Sequence, residues 1–194
     1  IANKIPNYKI VFHSVIHPHI KLLPHHWSKM RIEQRLITSK LNWIVLQPTM
    51  YMQNILPQIK MAKLNKHIGM PIPIDKKLSM VDLNDVAEIA FKAISENSLD
   101  YGIYELVGHN LSLNDQAQII SKLLGLNIVA TQFTLSGSKS ILKIPFKGKY
   151  GENTYDIMFE YYTKYGLSGN SSILKKLLSR EPSDFYSLVK IFLF

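Results

Sequence analysis

The chain has no cysteine. Disulfides, thiol nucleophiles and thiolate metal sites are therefore excluded. Cysteine-free composition fits a reducing compartment, and a cytoplasmic location is the expectation. No apolar run approaches the roughly 20 residues that cross a bilayer, so no membrane partner is expected. The opening residues Ile1-Ala2-Asn3-Lys4 lack the charged-then-apolar layout of a signal peptide. The nine glycines form neither GxGxxG nor GxxxxGK, and there is no GxSxG nucleophile elbow. Gly166-Leu167-Ser168-Gly169 follows an expected helix, whereas a phosphate-binding turn follows a strand.

Acidic residues are also scarce, but only in one part. Residues 1–77 hold 12 Lys or Arg against two acids, Glu33 and Asp75, a balance of +10. Residues 78–194 hold 11 against 12. A basic segment suits nucleic acid, a membrane surface or a phosphorylated ligand. Here the lysines are scattered, with no aromatic-interleaved stripe of the kind that binds single strands. A solvated basic surface is the simpler reading, and nucleic acid is not an expected partner.

What is present points to an α/β protein. A chain of 194 residues suffices for one domain with a sizeable core. Lys9–His13 reads as a buried strand ending at Ser14. Pro24 suits the first turn of a helix, His25–Ser39, on which Trp27, Met30, Leu36 and Ile37 recur at helical spacing. Trp43–Leu46 is a second strand, stopped by Gln47-Pro48-Thr49. Strand, crossover helix and strand make a βαβ unit, hence a parallel sheet with helices on its faces. Ligands of such sheets lie beyond the carboxyl ends of the strands, where Ser14 and Pro48-Thr49 fall.

Further elements follow. Residues 1–8, with a Pro6-Asn7 turn signal, read as a loop or helix tail. Met50–Lys66 reads as a helix that Pro57 should kink or split. Ile68–Lys77 reads as a loop with a short strand, and Leu78–Val81 as a strand. Asp82, with Asp85 as a capping-box-like partner, opens a helix over Asn84–Ser95. Gly102–Val107 is the next strand. Ser112 with Asp115 caps a helix to Leu124 that Gly125 ends. Asn127–Phe133 is a strand, Leu135–Gly151 a candidate mobile loop, and Tyr155–Tyr165 and Ile173–Leu178 are helices. Glu181-Pro182-Ser183 starts a last helix through Phe194.

Three groups of residues can carry chemistry. Ser14 at a strand end can donate to a substrate carbonyl. His25 and Lys29 lie one helical turn apart, so they share a face, and the lysine cation keeps the histidine neutral at pH 7. The alternative is a solvated helix start with unrelated polar groups. His13, His17, His19, His25 and His26 form a second group, but no pair has HExxH spacing and acids are absent nearby, so no metal is expected. Tyr51-Met52-Gln53-Asn54 follows the strand end and either contacts a flat ring or amide or packs inward as a helix start.

Five segments, in this order, resemble the NmrA-like branch of the atypical short-chain dehydrogenase/reductases. They are VFHSVIHPH, HHWSKMRIEQRLITSKLNWIVLQPTMYMQN, MVDLNDVAEIAFKAI, YELVGHNLSLNDQAQIISKLLG and LLSREPSDFYSLVK. The resemblance implies a single NmrA-like domain holding the C-terminal part of a Rossmann-like parallel sheet with a smaller α+β substrate lobe. Residues 1–66 and 78–107 would be mainly sheet, and 67–77 and 108–194 mainly lobe. It implies NADP(H) or NAD(H), bound mainly by a preceding half of roughly 100 residues that carries the Gly-rich turn. It assigns Ser14, Val15, Lys29, Gln47, Pro48 and Thr49 to the cofactor, with Lys29 as the lysine on the nicotinamide ribose. Ser14, His25 and Lys29 would be the catalytic positions, and Tyr51, Met52 and Asn54 would meet a substrate. His25 stands where full reductases carry a proton-donating Tyr. The family includes dinucleotide-sensing regulators, which the missing Tyr favours here, and reductases of quinones or small carbonyl compounds. The expected partners are accordingly a dinucleotide and either a small-molecule substrate or a regulatory protein.

Overall fold

The computed structural model describes residues 8–141, 146 and 148–194. The expected loop at 1–8 thus lies almost wholly outside the described residues. The first sheet is parallel, in the order β1–β2–β6, with β1 at Lys9–His13, β2 at Asn42–Pro48 and β6 at Ile103–Leu106. Side chains alternate along β2, so each face has its own cover. Trp43 and Val45 pack with Leu36 of α1 (Pro24–Ile37). Ile44 and Leu46 pack with Val86, Ile89 and Ala93 of α3 (Leu83–Ser95) and with Leu174 and Leu178 of α7 (Ser172–Leu178). A βαβ sheet covered on both faces is the Rossmann-type arrangement that the sequence predicts.

The strand β1 departs from expectation in burial. Its residues are half-exposed although the run is apolar. Among the described residues it pairs only with β2, so one of its edges carries no strand.

Beyond Pro48 the chain leaves this sheet. Met50–Tyr51 forms β3, which pairs in parallel with β5 (Leu78–Val81), and β5 pairs antiparallel with β7 (His109–Leu111). The segment expected as one helix over Met50–Lys66 is therefore a short strand, a 3-10 turn at Met52–Ile55 and α2 at Leu56–Asn65. Pro57 neither kinks nor splits α2; it lies in the first turn, where its missing N–H costs nothing. β4 (His67–Met70) pairs with β8 (Val129–Gln132). α4 (Leu113–Leu124) and α8 (Phe185–Leu193) close the second lobe around Ile59, Ile68, Ile120, Ile128 and Phe185.

The caps show how local chemistry sets these boundaries. Ser112 and Asp115 form a complete capping box, and Gly125 ends α4 with φ 64°. Asp82 accepts from the Asn84 amide, as expected. Asp85 does not complete a box. It is fully buried and accepts from the Arg180 guanidinium at 2.8 Å, the Ser183 amide at 2.7 Å and the Ser183 hydroxyl at 2.8 Å. A buried carboxylate needs such partners, and these tie α3 to the connection between α7 and α8.

The stretch expected as a mobile loop, Leu135–Gly151, is helical at both ends. α5 covers Leu135–Ile141 and α6 covers Gly148–Tyr165. Positions 142–145 and 147 lie outside the described residues.

Candidate functional site

The carboxyl ends of β1 and β2 open onto a cavity of about 570 Å³. Ser14, Val15, Pro48 and Thr49 form its sheet-side wall. Met50, Tyr51, Asn54, Ile55, Pro57 and Gln58 follow from the β3–α2 segment. The second lobe and α6 supply Gln116, Met70, Met158, Phe159 and Tyr162, among others. None of the described lining residues is charged.

The sheet register explains what lies beneath the sheet-side wall. Ile10 and Phe12 of β1 face α1 with Trp43 and Val45. Two residues on, Ser14 and Gln47 face the same way. There they meet Glu33, a buried residue of α1. Ser14 Oγ donates to Glu33 Oε1, and Gln47 Nε2 lies 3.0 Å from both carboxylate oxygens. The Ser14 proton is thus committed to Glu33, and the hydroxyl offers the cavity lone pairs. That reverses the donor role read from the sequence. Gln47 is occupied with Glu33 and does not line the cavity.

Lys29 lies one turn before Glu33 on α1. Its ammonium donates to the His13 carbonyl at 2.9 Å and sits 5.1 Å from the centre of the Phe12 ring. It braces the end of β1 and is outside the cavity wall. His25 is also outside the wall. Burial first, then the adjacent His26 and Lys29, push its pKa down to about 4, so it is neutral at pH 7. Its Nδ1 is buried without a hydrogen-bond partner among the described residues.

Met52 is fully buried in the second lobe's core, beside Ile55 and Ile59, rather than at the cavity. Its inward packing is the alternative that the sequence left open. Tyr51 and Asn54 do line the cavity. The Tyr51 hydroxyl lies 2.6 Å from Nε2 of His13, an exposed residue, and burial raises the Tyr51 pKa. At the opposite wall the Tyr162 hydroxyl lies 3.3 Å from Nε2 of the fully buried His26, whose Nδ1 donates to the His17 carbonyl at 3.2 Å. Burial pushes Tyr162 well above the usual phenol range and His26 below the usual imidazole range. His13 and His26 are thus spent on separate hydrogen bonds. Among the described residues no three His, Asp or Glu side chains converge as a metal site.

Glu33, the Tyr51–His13 contact, His26 with Tyr162, and Gln116 were not read from the sequence. Two left a signal. Glu33 is one of two acids in the first 77 residues and stands four positions after Lys29. Gln116 interrupts the apolar stripe of α4 between Leu113, Ala117 and Ile120.

A family model places the chain in a known class. The model of the NmrA-like family matches residues 4–191, and the chain belongs to that family. No curated protein sequence matches it. Among solved structures, it resembles the Citrobacter sp. triphenylmethane reductase complexed with NADP(H), with TM-score 0.83 and 17% identity over 98% of this chain and 67% of that one. It also resembles the Escherichia coli NADPH-dependent quinone oxidoreductase with NADPH, with TM-score 0.80 and 21% identity over 96% and 66%. The negative transcriptional regulator NmrA with NAD gives TM-score 0.69 and 13% identity over 94% and 63%. The fold is therefore Rossmann-like, and the chain spans about two thirds of the length of these structures.

Proposed function

We propose that this protein binds a nicotinamide dinucleotide and uses it to reduce an uncharged, mainly apolar small molecule held in the cavity. The observation that carries this reading is the position of the cavity. It opens at the carboxyl ends of two parallel strands, and its described lining holds four methionines, Met50, Met70, Met80 and Met158, with aromatic rings and no charge. Methionine-rich walls adapt to ring compounds, and an uncharged wall disfavours ions, which would lose hydration without gaining a partner.

The residues present fit the nicotinamide end of such a cofactor. Ser14 offers lone pairs at the end of β1, so it can hold a carboxamide. When bound, the dinucleotide supplies a hydride. Lys29 then keeps the end of β1 in place through the His13 carbonyl. The proton on the reduced product's oxygen comes from the Tyr51 hydroxyl, which is replenished through His13 from solvent. Hydride plus proton balance a two-electron reduction. The structures of the quinone and dye reductases, which share this fold, are compatible with the reading.

A second reading is a dinucleotide-sensing regulator. It is favoured by His25, which by the family resemblance takes the place of the reductases' proton-donating Tyr, and which is neutral at pH 7 and outside the cavity wall. The experiment is to follow oxidation of NADPH and NADH by the protein with a panel of uncharged quinones. Sustained turnover is expected, reduced at least about tenfold in Tyr51→Phe, with the pH profile altered, and reduced in Lys29→Ala. Tight dinucleotide binding with no turnover on any acceptor favours the regulator.

A further inference from the structure

The cavity wall contains five polar side chains that are buried or half-buried in addition to Gln116 and Thr49, and each of the five has a bond of its own. Ser14 donates to Glu33, Tyr51 meets His13, Tyr155 meets Ser138 at 2.9 Å and Tyr162 meets His26. The Gln58 carboxamide is spent on both backbone groups of Gly69, donating to its carbonyl at 3.0 Å and accepting from its amide at 2.7 Å.

 The exceptions are Gln116 Oε1 and Thr49 Oγ1. Both residues are at least nine-tenths buried, both line the cavity, and neither atom has a hydrogen-bond partner among the described residues. A buried polar atom left unpaired is costly, because it has given up water without gaining a partner. Two such atoms belong to residues of one chamber wall, one on α4 and one at the end of β2.

We infer that Gln116, with Thr49, makes this cavity selective for uncharged ring compounds that bear a hydroxyl group. The inference rests on the reading of the cavity as the acceptor site. A hydroxyl both donates and accepts, so it can pair with the glutamine carboxamide in either orientation or with the threonine hydroxyl. A purely apolar ring leaves both atoms unpaired. A carboxylate brings a charge that no described lining residue neutralises. Sites of this kind discriminate strongly against analogues that lack the hydrogen-bonding group, whereas an apolar wall tells similar rings apart weakly.

The test is calorimetric titration of the protein at its natural length, without dinucleotide, with 2-naphthol, 2-methylnaphthalene and 2-naphthoate. We expect 2-naphthol to bind at least about tenfold more tightly than either of the others. Gln116→Leu should remove most of that preference by weakening 2-naphthol, with binding of 2-methylnaphthalene kept or improved. Gln116→Met and Thr49→Val serve as milder replacements, and thermal melting confirms that each variant is folded. Equal binding of 2-naphthol and 2-methylnaphthalene, no binding of any probe, or a preference that survives in all three folded variants overturns the inference. Dinucleotide binding is titrated separately, so its failure strikes the proposed function and leaves the 2-naphthol result standing.

Discussion

At the residue scale, burial decides what each ionisable group can do. His25 and His26 are held neutral chiefly because an imidazolium in their surroundings loses its hydration. His13 is shifted the same way, by burial and by Lys29. The consequence for stability has a definite sign. An unfolded histidine titrates near 6.5 and folded His25 near 4, so between these values the unfolded chain binds the proton that the folded one refuses. Stability is thus unaffected by this group above the unfolded pKa and falls as the pH drops through that window. Urea unfolding at pH 7 and pH 5 should show the loss, and His25→Asn should shrink it. A pH dependence identical in the variant would mean that His25 titrates normally in the folded protein.

Asp85 illustrates the same rule for a carboxylate. With no exposed surface, it depends on Arg180 and Ser183 for partners. Asp85→Ala leaves the Ser183 amide without its acceptor and frees the connection before α8. The expected loss is about 1–3 kcal/mol in urea unfolding, the usual cost of leaving a buried donor without its acceptor. Arg180 is largely exposed, so Arg180→Ala should cost less.

At the element scale, the crossover helix α1 does two jobs with one stripe. Leu36 packs on the sheet, while Lys29 and Glu33 reach the strand ends from the same side. Helical spacing of three and four residues brings these groups into line, and strand alternation turns Ser14 and Gln47 toward them. The βαβ unit therefore builds the site wall from two periodicities that meet in one register.

At the scale of the whole molecule, the two lobes have separate apolar cores, and the cavity lies where their elements converge. Ile44, fully buried at the centre of the parallel sheet, contributes to the core between β2, α3 and α7. Ile44→Ala should lower stability by about 2–5 kcal/mol, measured by urea unfolding. A loss well below that range would show that the sheet collapses onto the vacated volume. No helix among the described residues is long and apolar enough to cross a membrane.

The sequence by itself determined the βαβ unit, the helices capped by Asp82 and by Ser112 with Asp115, the stop at Gly125 and the positions of Ser14 and Thr49 at strand ends. These follow from local periodicity and capping, which act over a few residues. Tertiary structure alone decided the rest. Met50–Tyr51 became a strand because β5, some thirty positions away, offered it a hydrogen-bonding edge. Ser14 became an acceptor toward the cavity because Glu33 took its proton from another element. Gln116 reached the cavity, and Met52 left it, according to how the second lobe packed. Partners distant in sequence settle such outcomes, and no local pattern encodes them.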